Sequence, residues 1–156
     1  PVMAEHSEHA LKIAVMDFQK ILKNSPQAES LSAKLKSEFK PRQDKIVSLQ
    51  KTLEADQVKL KRDINIMSEK EALVLRDKMT NEQRDLRRME EDYMADARAA
   101  QRKAMDEIAQ KVNVLIKKVA DEGGYDLILQ REYVAFASDK VDITDSVVKE
   151  LKQNKG

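Results

Sequence analysis

From Pro26 to about residue 121 the apolar positions recur at helical spacing, with charged and polar residues filling the intervals. Phe39, Ile46, Leu53, Leu60 and Met67 lie seven apart, which is the seam of a coiled coil. Leu35 and Leu49 begin a companion track, but Arg42, Asp56 and Asp63 hold its other positions. The seam is therefore apolar on one track and interrupted on the other. Met79, Leu86, Tyr93 and Ala100 repeat at seven again, followed by Ala104, Ile108, Val112, Leu115 and Val119. That last spacing is closer to an eleven-residue rhythm, which straightens or reverses a supercoil.

Ser25-Pro26 marks the helix start, with Ser25 as N-cap and Pro26 at the first helical position, where a missing N–H costs nothing. Gly123-Gly124 marks the end, matching the left-handed residue that closes many helices. One unbroken helix would be a rod of about 140 Å. Ser68-Glu69-Lys70-Glu71 reads instead as a capping box, so a break is expected over residues 65–68. Folding there gives a hairpin over residues 26–121, with arms of about 60 to 75 Å. Pro41 interrupts the first arm and removes the bond to the Ser37 carbonyl; it is the candidate hinge.

The flanks read differently. Lys12 to Phe18 is a short apolar run with the character of a strand, and Gln19 to Leu22 adds a helical turn. Tyr125 to Leu129 and Tyr133 to Ala137 read as two strands of a hairpin across residues 130–132. A last helix starts at Thr144, with Ile143 and Val148 as a hydrophobic staple and Val147, Val148 and Leu151 as its buried face. The strands sit at opposite ends of the sequence. A helical hairpin brings them together and a rod keeps them apart, which is the stronger reason for the hairpin. The expected fold class is α+β, mainly α: a flexible tail over residues 1–10, a β-rich body from 11–25 and 122–156, and the long hairpin between.

Composition narrows the function. The chain has 156 residues, 37% of them charged and 4% aromatic, with no Cys and three Gly. Disulfides, thiolate metal sites and cysteine nucleophiles are thereby excluded. Three glycines cannot build a phosphate-binding loop, so no nucleotide-driven step is expected. The two histidines, His6 and His9, lie in the tail and do not make a closed metal site, so no metal, cofactor or catalytic residue is assigned and the chain is not expected to be an enzyme. No apolar run reaches the roughly 18 residues that cross a bilayer, and no basic, apolar leader opens the chain, so a signal peptide is read as absent or already removed. With 29 Lys+Arg against 28 Asp+Glu the net charge is +1, which argues against a dedicated nucleic-acid binder. Arg84, Arg87 and Arg88 form one local basic cluster, ringed by acidic residues. Met67, Met79, Met89, Met94 and Met105 all fall in the helical stretch, and methionine is over-used on surfaces that accept many partners.

Three short strands and one short helix enclose little core and leave two open sheet edges. Several copies closing one shared barrel would solve both problems, so an oligomeric body carrying mobile arms is expected.

Lys12-Ile13-Ala14-Val15, Glu38-Phe39-Lys40-Pro41-Arg42, Tyr125 to Leu129 and Asp142-Ile143-Thr144-Asp145 together resemble the Skp/OmpH-like periplasmic chaperones, over about residues 11–152. The resemblance implies a homotrimer with a small β-barrel trimerisation body and three helical hairpins projecting as tentacles around a cavity. It implies a periplasmic location and ATP-independent holding of unfolded outer-membrane β-barrel proteins against aggregation. The family's arms are commonly more basic than these. A lipopolysaccharide or anionic-membrane contact is also implied, to which Arg87 and Arg88 correspond loosely. On this reading Met67, Leu75, Met79, Leu86 and Met89 face the client, and Ile13, Val15, Leu127, Leu129, Val134 and Phe136 build the trimer body. The alternatives are a structural coiled-coil adaptor for a folded partner, or a binder of anionic lipid or nucleic acid working through the arginines.

Overall fold

The computed structural model describes residues 10–154, so all of the expected tail but Ala10, His6 and His9 included, lies outside the described residues. The elements run β1 (Ile13–Met16), α1 (Phe18–Lys23), α2 (Pro26–Asp63), α3 (Glu69–Gly123), β2 (Leu127–Gln130), two single 3-10 turns (Arg131–Tyr133 and Asp139–Val141) and α4 (Thr144–Gln153). They divide into two compact units. One comprises residues 10–31 and 104–154, and the other is Ser32–Lys103. Each long helix belongs in part to both.

In the first unit the chain ends do meet. β1 and β2 pair in parallel, with Ile13 opposite Leu127 and Val15 opposite Leu129. Parallel pairing requires a long crossover, which the two helices supply. The strand run is shorter than expected at its far end because Asp17 accepts from the Lys20 N–H at 3.0 Å and so caps α1, taking Phe18 into that helix. The other edge of β1 is met by the segment before α4: Val15 bridges Asp142, and the Ile143 N–H donates to the Val15 carbonyl at 2.9 Å.

The expected second hairpin is not formed. After Gln130 the chain enters a 3-10 turn, and residues 134–137 carry no strand. Tyr133 and Phe136 are 82% and 84% exposed. A strand exists only as one side of a ladder, and this apolar run finds no partner strand within its own described chain. Among the described residues the sheet is thus two-stranded, and it closes no barrel.

Its core is helical. Ala14, Met16, Ile21, Leu22, Ile108, Val112, Leu115, Ile143, Val147 and Leu151 form one buried cluster, against which Ile128 and Val148 pack. Val112 and Val147 are fully buried, each worth about 1.5–3 kcal/mol of removed apolar surface. Ser25 works as read: its Oγ accepts from the Ala28 N–H at 3.1 Å and donates to the Leu22 carbonyl at 2.9 Å. At the far end of α3 the Tyr125 N–H bonds the Ala120 carbonyl at 2.9 Å and the Gly124 N–H the Asp121 carbonyl at 3.3 Å, a Schellman motif with Gly124 at φ +65°.

The second unit is an antiparallel helical hairpin. The turn between Asp63 and Glu69 falls where the capping box placed it, and the box itself is present at Ser68 and Glu71. The five positions of the apolar track are all buried or half-buried, with Ile46 and Leu53 each 9% exposed. The interrupted track is also half-buried: Arg42 and Asp56 find partners across the seam, and Asp63 pairs with Arg62 beside it. Arg42 pairs with Asp96 at 2.8 Å, and its guanidinium lies 5.5 Å from the Phe39 ring centre and 6.0 Å from that of Tyr93. The two rings themselves meet edge to face at 5.7 Å. α2 passes Pro41, which is exposed, as one helix from Pro26 to Asp63.

Candidate functional site

Among the described residues no group of three or more His, Asp or Glu is placed to hold a metal ion, and several large apolar side chains stay in water. In the hairpin unit the seam consumes most of the residues expected to face a client. Leu75 is only 8% exposed, and Met67, Met79, Leu86 and Met89 are half-buried. Heptad spacing selects residues that touch the partner helix, so those positions chiefly hold α2 to α3.

The exposed apolar side chains are instead off the pattern. Ile66 in the turn is 84% exposed, Val74 61%, Leu73 58%, Val58 57% and Met94 52%. One signal for them was present in the sequence. Leu73-Val74-Leu75 is a run of three apolar residues on an amphipathic helix, and only one of three consecutive positions can face a single seam. Near the turn, Ile66, Met67, Val74 and Leu75 line an open groove of about 670 Å³, with Asp56, Lys59, Asp63, Lys70, Glu71 and Lys78 also in its walls. Its lining mixes apolar side chains with both signs of charge, a surface suited to extended, chemically mixed polypeptide more than to one rigid ligand.

Charge in the groove is organised around Lys78, which lies 3.0 Å from Asp56 and 3.5 Å from Glu82. The hydrogen bond to Lys78 holds Asp56 below the usual carboxylate range. Burial, and then the hydrogen bond with Asp56, push Glu82 above it. At the turn, the Arg62 guanidinium holds Asp63 low. Of the basic cluster, Arg84 and Arg88 lie 3.7 Å and 4.0 Å from Asp85, and Arg87 is exposed. The carboxylate in their midst reduces the field they present outward.

In the sheet-bearing unit the strand faces alternate as a half-buried sheet requires. Ala14, Met16 and Ile128 turn to the core, whereas Ile13, Leu127 and Leu129 remain 41%, 47% and 39% exposed. Val15, expected among the trimer contacts, is only 3% exposed and is already buried by its own chain. Val134 is half-buried and Phe136 almost bare. Ile13, Leu127 and Leu129 thus share one exposed apolar face of the paired strands, and Phe136 stands in water in the segment that follows.

Below the strands, Asp142 organises the entry to α4. It accepts from the Thr144 backbone N–H at 2.9 Å and from its hydroxyl at 2.6 Å, and pairs with Arg131. Burial works to raise its pKa, but the Thr144 and Arg131 hydrogen bonds outweigh burial and hold it low. No helix among the described residues is long and apolar enough to cross a membrane.

Comparison with known proteins agrees with this architecture. The family model described as Outer membrane protein (OmpH-like) matches residues 12–151. The chain is 28% identical over 149 residues to the chaperone protein Skp of Yersinia enterocolitica, covering 96% of this chain and 91% of that one. It is 26% identical over 153 residues to a Skp-like protein of Pseudomonas aeruginosa, covering 97% and 91%. A crystal structure of an OmpH-like outer membrane chaperone from Caulobacter crescentus shares the fold, with a TM-score of 0.80 at 18% identity over 96% of this chain and 89% of that chain. With a family match running from the first strand to the last helix, the chain belongs to the OmpH-like outer membrane protein family.

Proposed function

We propose that this protein is a periplasmic holdase that binds unfolded outer-membrane β-barrel proteins without nucleotide and keeps them from aggregating, acting as a homotrimer. The observation that carries the reading is the apolar surface left in water on both compact units of a chain whose relatives are named as chaperones. The sheet-bearing unit exposes Ile13, Leu127, Leu129 and Phe136, and the hairpin unit exposes Ile66, Leu73 and Val74. The first set is the trimer contact. Its sheet has two strands and an unpaired run at residues 134–137, and pairing between copies would give that run a partner.

The second set holds clients. An unfolded membrane protein displays many apolar segments, and several weak contacts from three hairpins around a common cavity sum to tight capture through effective concentration. Met67 and Leu75 line the groove together with Val74 and Ile66. Met79, Leu86 and Met89 join them where the seam leaves them half open. Arg87 and Arg88 are the contact for an anionic membrane surface or lipopolysaccharide. Release follows when the client folds into the membrane and withdraws its apolar segments.

The test is light scattering of a denatured outer-membrane β-barrel protein diluted into buffer. Trimer equivalents of this protein without nucleotide should suppress the scattering, and unchanged aggregation would refute the holdase. Sedimentation at three times 17.9 kDa is expected, and a 17.9 kDa species would refute the trimer.

A further inference from the structure

Two carboxyl groups are enclosed in the seam of a hairpin that is otherwise rich in exposed charge. The side chains of Asp56 on α2 and Glu82 on α3 are 13% and 10% exposed. One lysine, Lys78, reaches both, at 3.0 Å and 3.5 Å. Glu82 Oε2 is buried and receives no hydrogen bond from any protein donor. Two enclosed carboxylates sharing one cation leave a net negative charge between the helices, which a single proton would cancel while supplying the missing donor.

We propose that Asp56 and Glu82 form a one-proton clasp that closes the helical hairpin in mild acid and loosens it as pH rises. The facing charges are few. From α2 they are Asp56 itself and Lys59, which acts on Asp56 through space. From α3 they are Glu82 and Lys78. The Asp56 carboxylate holds the Lys78 ammonium more firmly protonated, so it is the carboxyl pair that titrates in this range.

The direction follows from linkage. Glu82 binds its proton more tightly in the closed hairpin than in an open one. Its contribution is complete below the ordinary carboxylate value and is lost as pH rises through the raised one. Asp56 behaves oppositely, contributing above the ordinary value and failing only as pH falls through its lowered one. Closure is therefore strongest near the ordinary carboxylate range. Above Glu82's raised value that proton is lost and Lys78 is left to offset both carboxylates, which weakens closure beside the groove that Asp56 and Lys78 help to line. The hairpin is thus looser, and its groove more adaptable, at neutral pH than in acid.

The experiment is hydrogen exchange of the full-length protein at about pH 5 and about pH 8, expressed as protection factors so that the intrinsic pH dependence of exchange is removed. The wild type should show severalfold higher protection over residues 53–60 and 75–86 at the lower pH. Glu82→Gln keeps a donor to Asp56 but cannot ionise, so its protection should be high and equal at both. The carbon-13 titration of the Glu82 carboxyl in the wild type needs no variant, and its midpoint should lie above that of an exposed glutamate. An ordinary midpoint, or wild-type protection that does not change with pH, overturns the clasp. Neither readout depends on chaperone activity, so failure of the holdase reading would leave this result intact.

Discussion

Ser68 and Glu71 satisfy each other's backbone at the turn of the helical hairpin. The Glu71 N–H donates to Ser68 Oγ at 3.1 Å, and the Ser68 N–H donates to a Glu71 carboxylate oxygen at 3.3 Å. No glycine is available in this turn, so the box does the work of stopping one helix from running into the next. Ser68→Ala should cost about 1 kcal/mol, appearing as faster hydrogen exchange at residues 64–72 with little change elsewhere. Uniform loss of protection along the chain would show that the box holds more than the turn.

Gly124 closes α3 with φ +65°, and a Cβ there would meet nothing within 4 Å. The cost of Gly124→Ala is therefore backbone strain alone, about 1–2 kcal/mol, read as a lower thermal midpoint. Gly123→Ala has a different cause, since its Cβ would come to 2.4 Å from the Tyr125 ring. It should displace that ring from Lys12, whose ammonium sits 4.5 Å from the ring centre. Equal midpoints for wild type and Gly124→Ala would contradict the cap.

Asp142 links Arg131 to the first turn of α4. Because its pKa is held low in the folded chain, it stabilises above the ordinary carboxylate value and loses that contribution as pH falls through the lowered one. Asp142→Asn should flatten the acid limb of the stability curve while leaving Arg131 without its charge partner. Denaturant melts from neutral to acid pH check this, and an acid limb as steep as wild type would contradict it.

The exposed and buried apolar residues of the two units should separate cleanly in mutation. Ile108→Ala opens a cavity in the core cluster and should cost about 2–5 kcal/mol in denaturant melts. Leu73→Ser with Val74→Ser touches solvent-facing positions and should change stability by about 0.5 kcal/mol or less each. The same pair should weaken capture of unfolded client. If client binding survives the pair and fails instead when Met79 and Leu86 are truncated without unfolding, the half-buried seam is the client surface.

These contrasts also show what was legible in the residues. Ser25, Ser68 and Gly124 were readable because capping is decided within a few residues of chain. The heptads were readable because the surface that they bury lies on the neighbouring helix. Residues 133–137 were not, since aromatic and β-branched residues make a strand only when a ladder partner is present, and the described residues supply none. Val15 lies on the same strand face as Ile13, yet its burial is set by the segment at Asp142 and Ile143, far along the chain. The partial burial of the residues expected to face the client was hidden for a related reason. Regular spacing marks side chains already committed to an interface, and the free ones, Ile66, Leu73 and Val74, are those that break the spacing.

The central claim is capture of unfolded client by an assembly of three chains, and native mass spectrometry of the mixture tests it most directly. A denatured outer-membrane β-barrel protein diluted into this protein without nucleotide should give one complex, with a mass of three 17.9 kDa chains plus one client. A client found only in aggregates, with this protein left as single chains, would contradict both the assembly and the holdase.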